Sequence, residues 1–205
     1  GRGGSGGGKL AKYRWGGVAE GGQVGAFAEG VWQEMGRVDA LICCAGAYGP
    51  IGAFHQVDSD AWWHTVRANL FGTFLTIKKF APLMPRHAGA RVINFSGGGA
   101  FNSLPHYSAY AVSKAGIVRL TETFADELKP WGMLVNGVAP GFVRTSIHDA
   151  TLAAGPELAG AEFYAMTQEK IRQGSVPMDV PVNCVRFLLS AAANGLTGKT
   201  LSASF

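Results

Sequence analysis

Apolar residues recur along this chain in two patterns, helical spacing and short unbroken runs, and their alternation sets out the elements. From Gln23 onward, Val24, Phe27, Ala28, Val31, Trp32 and Met35 fall at i, i+3, i+4, i+7, i+8 and i+11. That is the stripe of an amphipathic helix, which Gly36 stops. Val38 to Cys44 reads as a short buried strand that exits through Ala45-Gly46. Asp58-Ser-Asp60 offers capping residues for a long helix from about Ala61 to Leu83. Trp63, Val66, Leu70, Phe74 and Ile77 form its apolar face, and Pro82 and Pro85 mark its end. Arg91 to Phe95 is a second buried strand, and a helix carrying Tyr110, Ile117, Leu120, Phe124 and Leu128 stops before Pro130. Met133 to Val138 is a third strand, broken by Pro140-Gly141. The segment on to about Gly155 reads as loop, Glu157 to Gln173 and Val182 to Ala193 as helices, and Leu196 to Phe205 as a turn entering a strand. Strands alternating with helices imply a parallel sheet with right-handed crossovers.

Residues 1–16 fall outside this alternation and are expected to form a flexible, glycine-rich segment, leaving 17–205 as one domain. Gly3-Gly-Ser-Gly-Gly7 fits both a hydrolase elbow and a phosphate-binding loop on paper. Either function requires a preceding strand, and none is present. Tyr13 to Ala19 could form a short strand, weakened by Gly16-Gly17. The 205 residues, 47% of them hydrophobic, suffice for a sizeable core. No apolar run approaches the ~20 residues of a membrane span. The net charge of +4 comes from scattered basic residues, with only Lys78-Lys79 adjacent, so no nucleic-acid partner is expected. The five His residues lack metal-ligand spacing, and no metal site is expected. Cys43 and Cys44 are adjacent on a strand and point to opposite faces, which excludes their pairing and suits a reducing cytoplasm.

Candidate chemistry is concentrated between Ser96 and Lys114. Tyr110 and Lys114 lie four apart on one helix and project from the same face. An ammonium beside a phenol favours phenolate and is expected to bring the Tyr pKa down toward neutrality, where it can act as acid or base. Tyr107 is the rival phenol, but its i+4 residue is Ala111. Around this pair stand Ala40-Leu-Ile-Cys-Cys-Ala-Gly46, Asn69 within Arg67-Ala-Asn-Leu-Phe-Gly72, and Asn136-Gly-Val-Ala-Pro-Gly-Phe-Val-Arg-Thr145. In that order, the motifs resemble the short-chain dehydrogenase/reductase family from about Val18 to Phe205.

The resemblance implies an α/β fold, a Rossmann-like doubly wound parallel sheet, that binds NAD or NADP at the strands' carboxyl ends. It implies Tyr110 as acid/base and Lys114 as the residue that lowers its pKa and holds the nicotinamide ribose. Asn69 would anchor a proton-relaying water, and Ser96 would polarise the substrate oxygen. Ala45 and Gly46 would line the cofactor, with Pro140, Gly141, Val143 and Thr145 at its nicotinamide end. The reaction implied is hydride transfer between NAD(P) and a carbonyl or alcohol, in a homodimer or homotetramer. Trp62, Trp63, Phe71, Phe74, Ile117, Leu120 and Phe124 are the apolar residues expected on the assembling helices.

Three departures qualify these expectations. Cys43-Cys44 stands where the family has two asparagines, so the side-chain amides there are gone. Ser96 is followed by Gly97, whereas the family's strand ends in two serines with the second catalytic, which leaves Ser103 as a rival donor. Ahead of Gln23 the family carries further strand–helix units with a glycine-rich pyrophosphate loop, which need roughly 55–60 residues. Only 22 positions precede Gln23. The first strand–helix units are therefore expected to be missing or altered, cofactor binding by these 205 residues to be weak, and the Ala40–Cys44 strand to have an exposed edge. The alternative is an inactive protein that keeps the fold for assembly or binding. Phe142, Phe163 and Tyr164 are expected near an apolar substrate pocket covered by the segment from Thr145 to Gln173.

Overall fold

A computed structural model describes residues 17–87 and 89–203; the glycine-rich residues 1–16, and with them most of the expected Tyr13–Ala19 strand, lie outside the described residues. Strands β1 (Ala40–Cys43), β2 (Arg91–Phe95), β3 (Leu134–Ala139) and β4 (Thr200–Ser202) lie in chain order in one four-stranded sheet. All three pairings are parallel, with Ile42 and Asn136 opposite Ile93.

Alternation along the central strands divides the core in two. Val92, Leu41, Cys43 and Val135 pack on one face against Ala28 of α1 (Gly21–Met35), Ile77 and Phe80 of α3 (Gly72–Phe80), and Ala125 of α4 (Ser108–Glu127). Ile93 and Val138 point to the other face, where they meet Leu188 of α7 (Asp179–Leu189). Helices on both faces of a parallel sheet make the architecture doubly wound. Polar residues inside it are fully engaged at one turn: Asn136 donates to the Leu196 carbonyl at 2.8 Å and accepts from the Lys199 N–H at 3.1 Å, which fixes the entry to β4. Among the described residues no helix is long and apolar enough to cross a membrane.

Local signals behave as the sequence suggests at most element ends. Gly36 stops α1 in the left-handed region (φ 67), with its N–H on the Trp32 carbonyl. Asp58 caps α2 (Ser59–Val66) by accepting the Ala61 N–H at 2.8 Å. The helix that follows is not uniform. Arg67–Phe71 is a π-helical turn between α2 and α3, and Asn69 sits within it, fully buried. Such turns insert an extra residue into the helical ladder and recur at functional sites.

Two expectations are corrected. The segment expected as loop up to about Gly155 is instead helix α5 (Ser146–Ala159). Ile147 and Ala154 pack there onto a cluster around Tyr107, so tertiary burial stabilises a helix whose sequence alone is weak. The chain breaks only at Gly155 (φ 73) and again at Gly160 (φ 80), before α6 (Ala161–Gln173). Among the apolar residues expected on an assembling surface, Ile117 is 2% exposed and Phe124 packs against the core, so both belong to the interior. Trp63, Phe71 and Val112 remain exposed on that side.

The outer edge of β1 pairs with no strand among the described residues, as expected for Ala40–Cys44, and Ile42 is 47% exposed. A cavity of about 540 Å³ lies beside it, lined by Phe27, Leu41, Ile42, Cys44, Thr73 and Phe80 among others. The contrast between core and surface gives a first prediction. Ile93 is fully buried whereas Phe54 is 82% exposed. Ile93→Ala should lower the unfolding free energy by about 2–5 kcal/mol, and Phe54→Ala by no more than about 0.5 kcal/mol. Urea denaturation of both variants checks this; equal losses would contradict the assignment of the sheet centre.

Candidate active site

The loops leaving the carboxyl ends of β1 and β2 meet the first half of α4, Gly46 approaching Lys114 and Gly97 approaching Tyr110. There Tyr110 is 7% exposed and Lys114 4%. The Lys114 ammonium donates to the Phe95 carbonyl at 2.9 Å and lies 5.6 Å from the centroid of the Tyr110 ring. The Tyr110 Oη makes no hydrogen bond among the described residues. Burial lowers the Lys114 pKa to about 8, while the neighbouring Cys44 works in the opposite direction. The Tyr110 phenol is pushed up to about 12, by burial first and Cys44 second. This reverses the expected direction. In so dry a site, the desolvation of a phenolate outweighs the attraction of a cation whose own hydrogen bond goes to a backbone carbonyl. A pKa so raised favours the protonated phenol at neutral pH.

Asn69 fixes the surroundings of the pair. Its Oδ1 accepts the Ala47 N–H at 3.0 Å, and its Nδ2 donates to the Ala47 carbonyl at 2.9 Å and to Ser113 Oγ at 3.0 Å. Ser113 Oγ donates in turn to the Tyr110 carbonyl at 2.8 Å. Gly46 lies so close that an added Cβ would stand 3.4 Å from both Asn69 Oδ1 and Lys114 Nζ. Ala45 is exposed just before it. On the far side, Gly141 (φ 75) turns the chain after Pro140, and the Val143 N–H donates to its carbonyl at 3.0 Å. Thr145 is the N-cap of α5, with its N–H directed to His148 Nδ1 at 3.4 Å.

The Ser96 hydroxyl is engaged by backbone and not by the phenol. Ser96 is 3% exposed, and its hydroxyl donates to the Val138 carbonyl at 3.4 Å. The residue against the phenol is Gly97, where an added Cβ would lie 2.2 Å from Tyr110 Oη. The phenol thus fills the space a side chain at 97 would need. Ser103 is exposed in the same loop. Tyr107 is fully buried, and its hydroxyl donates to Thr151 Oγ1 of α5 at 3.0 Å, so it ties the covering helix down.

Sequence reasoning missed Tyr48. Its ring stands edge-on to Tyr110 (centroids 4.7 Å) and to Tyr107 (4.9 Å), bracing both phenols. Only its position shortly after Ala45-Gly46 could have signalled it. Phe163 and Tyr164 join this aromatic cluster, whereas Phe142 lies instead over His148, with centroids 4.0 Å apart. Burial lowers the His148 pKa, which favours the neutral imidazole.

A doubly wound parallel sheet is the architecture in which ligands bind at the carboxyl ends of the strands. A family model described as short chain dehydrogenase matches residues 7–154. The 3-oxoacyl-[acyl-carrier-protein] reductase FabG of Staphylococcus epidermidis is 31% identical over 184 residues, spanning 90% of this chain and 72% of that protein. 2-(S)-Hydroxypropyl-CoM dehydrogenase 3 of Xanthobacter autotrophicus is 30% identical over 193 residues, spanning 94% and 74%. Among solved structures, a gluconate 5-dehydrogenase from Burkholderia cenocepacia, in complex with NADP and tartrate, superposes with a TM-score of 0.78 at 26% identity, covering 91% of this chain and 71% of that one. The chain belongs to the short-chain dehydrogenase/reductase family of NAD(P)-dependent oxidoreductases.

The depressed Lys114 pKa has a testable sign. The unfolded chain keeps this proton up to about 10.5, while the folded protein releases it near 8. Between those values the unfolded state binds more protons, so the Lys114 contribution to stability rises with pH; below about 8 its burial penalty is complete. Wild type should therefore gain stability relative to Lys114→Met between pH 7 and pH 10. Urea unfolding of both proteins at the two pH values measures the gap, and a gap independent of pH would contradict burial of a titrating ammonium.

Proposed function

We propose that the site transfers hydride between NAD or NADP and a carbonyl or alcohol, with Tyr110 as the acid/base. The observation that carries this reading is the Tyr110 phenol, buried beside the Lys114 ammonium and without a hydrogen-bond partner among the described residues. The names of the relatives, a 3-oxoacyl reductase and a hydroxypropyl dehydrogenase, support carbonyl–alcohol chemistry. The NADP complex of the structural neighbour supports a nicotinamide cofactor.

The residues present fit one end of such a cofactor. Gly46 leaves a gap beside Asn69 and Lys114 that a Cβ would fill. Together with Ala45, Pro140, Gly141, Val143 and Thr145 it gives a small-residue, backbone-rich cradle for the ribose and nicotinamide. A bound nicotinamide supplies or accepts the hydride. Tyr110 Oη gives its proton to the substrate oxygen in reduction and takes it back in oxidation. Lys114, while charged, stabilises the phenolate that reduction leaves and can donate to the ribose. Asn69 acts by position, since its amide is engaged by Ala47 and Ser113. The aromatic cluster around Tyr48 and Tyr164 keeps water from the proton transfer.

One observation favours a non-catalytic binding or assembly role instead: Gly97 stands where the resembling family carries its catalytic serine, so no second hydroxyl reaches the substrate oxygen from that position. Turnover separates the readings. With millimolar NADH or NADPH and a panel of ketones, the 205-residue chain should oxidise the nicotinamide. Tyr110→Phe should cost about 10²–10⁴-fold. Absence of turnover on the whole panel, or a Tyr110→Phe variant within tenfold of the parent, would overturn the catalytic reading.

The same reading includes self-assembly through α2, the π turn and α4. Trp63 is 61%, Phe71 40% and Val112 51% exposed on this face, more apolar surface than a solvated helix pair needs. Light scattering at micromolar concentration should give the mass of a dimer or tetramer, and a single monomeric species would contradict it.

A further inference from the structure

The amino-terminal end of the described fold meets an opening beside the outer edge of β1. Gly17, where the described residues begin, lines the cavity there together with Cys44 and Ala45. Its N–H donates to Gln23 Oε1 at 2.7 Å. Val18 lies against Gly72, the first residue of α3, where an added Cβ would stand 2.9 Å from Val18 Cγ2. The chain is thus held near the carboxyl end of β1 at residue 17. The cavity is covered from one side. Phe27 of α1, edge-on to Phe80 of α3 with ring centroids 5.7 Å apart, bounds it on the face that carries Leu41. Ile42, on the opposite face of β1, is 47% exposed. The Asp39 carbonyl accepts the Arg91 N–H of β2 at 3.0 Å. Backbone groups alternate in direction along a strand, so Ala40 and Ile42 turn theirs to the open edge.

The sequence ahead of Gly17 carries the complementary pattern. Ala11, Tyr13 and Trp15 alternate with Lys12 and Arg14, and strict alternation marks a strand buried on one face. We propose that residues 11–15 occupy this cavity as a further strand beside β1, with Ala11, Tyr13 and Trp15 toward α1 and α3. Lys12 and Arg14 then face solvent, their stems across Ile42. Reach, direction and hand select this segment over a second copy of the chain. Only Gly16 separates Trp15 from the cavity wall, and five extended residues span about 16 Å, enough to follow the four-residue β1. A segment that follows this edge and finishes at its carboxyl end runs parallel to β1. Parallel neighbours need a crossover of about a dozen residues or more, and the 15-residue α1 supplies it. α1 packs on the same face of the sheet as α3 and α4. The step from the added strand through α1 to β1 therefore has the hand of the steps through α3 and α4. Seated there, the segment finishes beside Ala45 and walls the cradle on its β1 side. The inference holds whether or not the chain turns over a substrate.

Hydrogen exchange of the 205-residue chain, read by peptide mass spectrometry, tests this. An edge strand bonds through every second residue, so alternate amides within residues 11–15 should exchange about tenfold or more slowly than in a synthetic peptide of residues 9–16. The amides of Ala40 and Ile42 should be slow as well. Tyr13→Asp, which puts a charge into the apolar cavity, should release both sets, whereas Arg14→Asp on the solvent face should leave them slow. Slow amides in β2 and β3 certify that each variant is folded. If Tyr13→Asp loses them, residues 11–15 of the parent decide alone. Exchange of residues 11–15 at the peptide's rate in the parent would overturn the proposal. So would Ala40 and Ile42 amides whose protection depends on protein concentration while residues 11–15 exchange freely, the signature of a second copy. An equal response to Tyr13→Asp and Arg14→Asp in folded variants would overturn it too.

Discussion

The site depends on one buried amide. Asn69 connects the loop after β1 to α4 through Ala47 and Ser113, and Ser113 passes the connection on to the Tyr110 carbonyl. Three segments distant in sequence are thereby held in one geometry through two fully buried side chains, Asn69 and Ser113. Leaving any of these donors or acceptors unpaired would cost about 1–3 kcal/mol, so the network has one satisfied arrangement and no cheap alternative. The π turn is what permits it. It places a polar residue facing inward on a helix whose neighbours, Val66 and Leu75, face the apolar interior. Helix geometry, the loop beside the cofactor cradle and the position of the phenol are consequences of that single side chain.

Much of the fold was legible because its signals are local. The apolar runs of β1, β2 and β3, the Asp58 cap and the Gly36 stop each follow from residues within a few positions. Helix α5 was not legible. The segment after Pro140-Gly141 reads as loop up to about Gly155, and the packing of Ile147 and Ala154 that overrides this comes from residues far away in the chain. The pair Tyr110–Lys114 was legible as spacing, yet the direction of the phenol's pKa was not. Spacing reports that a cation is near; only three-dimensional burial reports that water is absent, and here the second effect is the larger. Tyr48 left no pattern at all, since an edge-on ring contact has no sequence period.

Ser96 and Gly97 illustrate the same limit at the scale of one residue. The departure from two serines to Ser-Gly was visible in the sequence, but its consequence was not. The hydroxyl that remains is held by Val138, and the missing one would have had to share space with Tyr110. Meanwhile Tyr107, which had looked like a competitor for the acid/base role, holds α5 in place through Thr151. Two phenols three residues apart thus differ in engagement, one hydroxyl without a partner among the described residues and one locked as a fastener.

The close approach of Gly97 to the Tyr110 hydroxyl constrains how this chain can change over generations. A serine at 97 would make the motif resemble its relatives, but it would collide with the phenol as now placed, at 2.2 Å from the new Cβ. The atom in the way is the far end of a side chain and not backbone, so a serine at 97 would displace the phenol and not the loop. What such a change would alter is the seat of the hydroxyl between the Tyr48 ring and the Lys114 ammonium, so residue 97 sets where the phenol rests without touching either neighbour.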